Sequence, residues 1–169
     1  MRKALWACAL VILLILSLGI SAPSAASSLT TIYHLPQVSS APARADLEAD
    51  VMALVNRDRV RFGLAPLAFS APLRVAARGH GVEMFVHGYM SHTARNGSTP
   101  MDRALAAGVR AHLFGENLAY AADVSIAHRL LMNSPGHRAN ILSRAFHRLG
   151  IGVIDGGDKG VIVVENFAD

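Results

Sequence analysis

Ser134-Pro135-Gly136-His137-Arg138-Ala139-Asn140-Ile141-Leu142 is a corner written into the chain. Pro135 cannot continue a helix that ends near Asn133, and its ring drives Ser134 out of the α region. Gly136 lets the backbone turn without steric cost. The chain then restarts at once into a segment carrying Ala139, Ile141 and Leu142. A histidine and an arginine therefore sit on a rigid bend between two elements, where proteins often place functional side chains. Taken alone, the corner reads equally well as a joint between two helices with solvated His137 and Arg138.

Working outward, Asp123 caps a helix running through Ile126, Leu130 and Leu131 into the corner. Further upstream, Leu47, Val51, Leu54 and Val55 recur at helical spacing, ending at Gly63. Ser70 and Pro72 open a second helix that closes at Gly88, with His80 on its apolar face as a core or boundary histidine. Ser98 or Thr99 with Pro100 opens a third, with Gly108 beyond its end. Gly115–Ala119 is a short extended piece or loop. Downstream of the corner the pattern changes. Arg148–Asp155 and Gly160–Asn166 are β-rich runs joined by Gly156-Gly157-Asp158-Lys159, a hairpin signal. Helices followed by a hairpin predict an α+β domain, with helices layered on a small antiparallel sheet.

The N-terminus belongs to a different part of the argument. Arg2 and Lys3, an apolar run from Ala4 to Ile20 and the small residues 21–28 have the order of a secretory signal peptide, with cleavage expected after Ala26. An uncleaved membrane anchor is the alternative. Residues 27–45, rich in Ser, Pro and Ala, read as a flexible linker, and 46–169 as one domain. The 16 basic residues become 14 once Arg2 and Lys3 go, against 12 acidic ones, so the net charge falls from +4 to +2. That balance, with no Lys/Arg run interleaved with aromatics, gives no basis for nucleic-acid binding. The single cysteine, Cys8, lies in the signal, so the mature chain forms no disulfide and depends on an ordinary core.

Three ionisable residues stand at breaks between elements: His92 after Ser91, Glu116 between Gly115 and Asn117, and His137 in the corner. Two imidazoles and a carboxylate suit a divalent metal with an open position. They suit acid–base work equally, where a carboxylate fixes the tautomer of a neighbouring histidine. Their spacing matches no compact metal motif. Ser91 or Ser134 as a nucleophile lacks the glycine context of a nucleophile elbow and a visible oxyanion loop. His34, His87, His112, His128 and His147 have no such setting and read as surface or boundary residues.

Gly63-Leu64-Ala65-Pro66-Leu67, Ser91-His92, Gly115-Glu116-Asn117 and Ser134–Ile141 occur in the order they have in the CAP superfamily, the cysteine-rich secretory, antigen 5 and pathogenesis-related 1 proteins. The resemblance is closest to the bacterial, SCP-like branch and covers Leu47 to Phe167. Asn56, Arg57, Ser98-Thr99-Pro100 with Arg103, and Glu165-Asn166-Phe167 fit it too. It implies a three-layer α-β-α sandwich with an open cleft. His92, Glu116 and His137 would line that cleft as metal ligands, for a divalent ion such as zinc, or as catalytic groups. The second glutamate of animal members is missing, because the segment before the corner reads Leu130-Leu131-Met132-Asn133-Ser134.

The function expected on this basis is a secreted or cell-envelope protein whose cleft binds a divalent metal and an extracellular ligand. Membrane attachment would come only through an uncleaved signal. Two other classes remain open. One is a metal-dependent hydrolase of peptides or cell-wall material with Glu116 as general base. The other is a lipid or sterol carrier. A shared fold does not choose among them.

Overall fold

The computed structural model describes residues 33–169. The signal peptide expected at 1–26 and the first part of the expected linker lie outside the described residues. The chain runs β1 (Tyr33–His34), α1 (Ala45–Arg61), β2 (Ala68–Phe69), α2 (Ala71–His87), β3 (Tyr89–Met90), α3 (Pro100–Ala106), β4 (Phe114–Ala121), α4 (Val124–Asn133), α5 (Pro135–Ile141), β5 (Arg148–Asp155) and β6 (Val161–Ala168).

The helices begin and end where local chemistry places them. Ser70 opens α2 with Pro72 in its first turn, and Gly88 closes it at a positive φ of 66°. Asp123 caps α4 by accepting from the Ile126 amide. Pro135 ends α4 and starts α5, with Ser134 extended between them.

The sheet has the order β2-β5-β6-β4. β6 pairs antiparallel with both β4 and β5. β2 adds a two-residue parallel edge to β5, so the sheet is not wholly antiparallel as expected. The extended piece around Glu116 is a full eight-residue strand, β4. The run Val161-Ile162-Val163-Val164 explains the layering. An unbroken apolar run is the mark of a strand buried on both faces. Val161, Val163 and Phe167 face a core with Val51 and Val55 of α1, Leu131 of α4 and Ile141 of α5. Ile162 and Val164 face Ala77, Met84 and Phe85 of α2. Helices on both faces of one sheet give the α-β-α sandwich.

Two readings are corrected. The second part of the expected linker is docked. β1 pairs with β3, Leu35 N–H donates to Gly88 O, Val38 N–H to Phe85 O and Arg44 N–H to Val153 O. Its prolines and serines concealed Ala41, which is buried, and Leu35 and Val38, which pack on the α2 side of the core. His128, read as surface or boundary, is 3% exposed and pairs with Asp58 of α1 at 2.9 Å. Its helical spacing puts it on the inward face of α4, where an acid on a neighbouring helix satisfies it.

Candidate functional site

Glu116 lies on β4, the edge strand, and its side chain is 2% exposed. An ionised carboxylate at that depth needs partners on both oxygens. Oε1 lies 2.8 Å from His92 Nδ1, and Oε2 accepts from Arg103 Nη2 at 2.8 Å. Arg103 comes from α3, whose start is fixed by a reciprocal capping box between Thr99 and Asp102. Its other terminal nitrogen donates to the carbonyls of His92 and Ser98. One guanidinium therefore clamps the His92 loop to the β4 carboxylate. Beneath, His80 Nε2 meets the Ser91 carbonyl at 2.7 Å, which makes it the core histidine expected. Asn166, opposite Glu116 on β6, completes the cradle. In the amide orientation that satisfies both its ends, it donates to Glu116 Oε2 at 3.2 Å and accepts from the Ala77 amide.

His137 enters from the other helical layer. Its Nδ1 lies 2.9 Å from Ser134 Oγ, so the corner that breaks the helix also holds the ring. Burial lowers its pKa below the ordinary histidine range, and the charge of His92 pushes the same way. Asn117, pointing to the opposite face of β4 from Glu116, donates to the His137 carbonyl at 3.1 Å and accepts from Asn140 Nδ2 at 2.9 Å. Both asparagines tie the corner to the sheet.

Of the three expected residues, His92 and Glu116 are in direct contact, while His137 is held separately by Ser134 and Asn117. Glu116 accepts only, so in neutral His92 the Nδ1 carries the proton and Nε2 presents a lone pair, with the ring 52% exposed. His137 likewise has Nδ1 engaged, and its Nε2 has no hydrogen-bond partner among the described residues. Among the described residues, no group of three His, Cys, Asp or Glu is placed to share a metal ion. Glu116 spends both oxygens on His92 and Arg103. That commitment leaves the two imidazoles, not the carboxylate, as the groups of the trio with a ring nitrogen to offer a ligand.

The sequence alone offers Arg138 either as a partner for an acid near the cleft, Glu116 included, or as a stem covering the corner. Arg103 takes the place beside Glu116, and Arg138 instead lies over the Phe62 ring at 4.7 Å. The signal for Arg103 was its position one turn into a capped helix, next in the chain to both other partners. Asn166 was marked only as part of the Glu165-Asn166-Phe167 stretch of the resemblance, with no role attached.

Residues 52–167 match the cysteine-rich secretory protein family, CAP. The chain is 31% identical over 137 residues to the uncharacterized protein YkwD of Bacillus subtilis, covering 80% of this chain and 51% of that protein. It is 35% identical over 107 residues to the uncharacterized membrane protein YlbC of the same organism, covering 63% and 31%. The chain thus spans about half or less of the length of these curated relatives. Among solved structures, an extracellular protein containing an SCP domain from Bacillus anthracis superposes with a TM-score of 0.66 at 32% identity, over 76% of this chain and 45% of that one. An outer surface protein of Borrelia burgdorferi shares the fold, with a TM-score of 0.72 at 19% identity over 78% and 98%. No helix among the described residues is long and apolar enough to cross a membrane.

Proposed function

The chain belongs to the cysteine-rich secretory protein (CAP) family, of extracellular type and with bacterial relatives, and from that premise we propose that it is an exported binding module. Its ligand is gripped between His92 and His137. The observation that carries this reading is the division of labour in the trio. Both imidazoles have Nδ1 engaged and Nε2 open, while Glu116 is locked behind His92 by Arg103.

A divalent ion such as zinc would suit the core of that ligand, and His92 and His137 are the residues that would hold it. When bound, it would act as a Lewis acid towards an oxygen of the extracellular ligand. The chain's own residues do the rest. Glu116 holds the His92 proton at Nδ1 and orients the ring. Arg103 fixes the carboxylate through its 2.8 Å bond to Oε2. Burial keeps His137 neutral, and therefore able to donate a lone pair, into mildly acidic solution. A hydrolase using Glu116 as general base is less well supported, because neither of its oxygens is free to meet a water. A lipid carrier would need an apolar cavity, and one of about 330 Å³ between α1 and β2, lined by Met52, Phe69 and Ile151, contains none of the trio.

Zinc titration calorimetry on the domain tests the reading. One ion per chain is expected, weakened at least about tenfold in His92→Ala and in His137→Ala, and about 10–100-fold in Glu116→Gln, which loses the carboxylate that orients the His92 ring. Equal affinity in folded wild type and both histidine variants would overturn it.

A further inference from the structure

The inward positions of β6 read Val161, Val163, Glu165, Phe167, and all but one join the core beneath α1, α4 and α5. The exception, Glu165, is 0% exposed. Its Oε2 accepts from Asn117 Nδ2 at 2.9 Å, and its Oε1 has no hydrogen-bond partner among the described residues. A wholly buried carboxyl with half its bonding capacity unmet is costly, and a leucine there would pack without that cost. Its one partner is not incidental. The same Asn117 amide nitrogen donates to the His137 carbonyl, and its oxygen receives Asn140 from the next turn of α5. We propose that Glu165 is a positioning residue of the cleft, its buried carboxyl setting, through Asn117, the seat of the α5 corner that carries His137.

The coupling works through competition for one amide group. A neutral Glu165 accepts a single proton from Asn117 and leaves the other for the His137 carbonyl. An ionised Glu165 needs donors at both oxygens, and the Asn117 amide is the donor within reach, so the bond to the corner weakens. Burial pushes the carboxyl up to about 7, which places this change within the range of ordinary extracellular conditions. Several titratable or charged groups on the elements packed over this face are engaged elsewhere, His137 of α5 with Ser134 Oγ among them. Asp58 of α1 bonds His128 of α4, Glu48 of α1 pairs with Arg78, and Arg59 donates to the carbonyls of Ala65, Ile141 and Ser143. Arg138 of α5 stacks on Phe62, and β5 presents Ile151 opposite. No ion pair joins Glu165 to any of them among the described residues. The inference rests on the cleft reading only in giving the position of His137 a use.

The test is an NMR pH titration of the metal-free domain from about pH 4.5 to 9, following the Glu165 carboxyl carbon, the Asn117 side-chain amide and the Arg138 and Asn140 backbone amides. In wild type, the carboxyl carbon and the α5 amides are expected to inflect together near pH 7. In Glu165→Gln, which keeps the shape and the acceptor, that inflection disappears while the His137 ring still titrates. A carboxyl midpoint below about 5, or an α5 inflection that survives in Glu165→Gln, overturns the proposal. The wild-type carbon signal decides even if the variant folds poorly. With zinc absent throughout, failure here leaves the ligand reading untouched, and failure of zinc binding leaves this coupling untouched.

Discussion

Glu116 has no oxygen to spare, and that fact governs what the cleft residues can do. Its partners are a mostly exposed histidine and a guanidinium that is 11% exposed, so the Arg103 pair behaves as a buried one. Removing one member of a buried pair leaves the other charge uncompensated, at a cost of about 3–5 kcal/mol. Arg103→Ala is therefore expected to lower unfolding free energy by about 3 kcal/mol in urea melts at neutral pH. Arg103→Lys should recover only part of this, because one ammonium cannot reach Glu116 Oε2 and the carbonyls of His92 and Ser98 together. A loss under about 1 kcal/mol in Arg103→Ala would mean that water replaces the guanidinium.

Among the elements, α2 and α3 aim the site, and each depends on a small device. α2 rests directly on β5 at Gly152, where an added Cβ would lie 2.7 Å from the Ala77 carbonyl carbon. Gly152→Ala must pry the helix off the strand and should cost at least about 2 kcal/mol in thermal or urea melts, as overpacking does. α3 is short, and its capping box holds Arg103. Thr99→Ala should cost about 1 kcal/mol and weaken zinc binding with it. Stability loss without a change in zinc affinity would show that α3 does not aim the site. These elements were legible because their punctuation is local: Ser70 and Gly88 bound α2, Thr99 and Pro100 open α3, and Pro135 makes the corner. β4 was half-legible, since Gly115-Glu116-Asn117 interrupts the apolar pattern where the strand turns functional. β2 and the docked segment 33–44 were not, because their place depends on β5 and α2, contacts remote in the chain.

For the whole molecule, opposing titrations shape stability. His80 and His137 titrate below the ordinary histidine range, mainly through burial, so the folded chain resists protonation and stability falls as pH drops below about 6.5. Glu165 is raised to about 7, so its contribution is complete below the ordinary glutamate range and is lost as pH rises through about 7. Relative to Glu165→Gln, wild type should lose about 1 kcal/mol between pH 6 and pH 8.5 in urea melts. Parallel curves for the two proteins would mean that Glu165 does not titrate in that window. Composition could not reveal this, because a carboxylate next to Asn166 and Phe167 reads as one more solvated strand residue until the sheet is known to be covered on both faces.

The division of roles between two open imidazoles and one committed carboxylate is tested most directly by long-range ¹H–¹⁵N NMR of the histidine rings, before and after one equivalent of zinc. The Nδ1–H tautomer is expected for His92, with the Nε2 signals of His92 and His137 shifting together as zinc is added while Glu116 stays hydrogen-bonded to Nδ1. An Nε2–H tautomer at His92, or zinc shifts confined to one ring or to other histidines, would contradict the shared cleft.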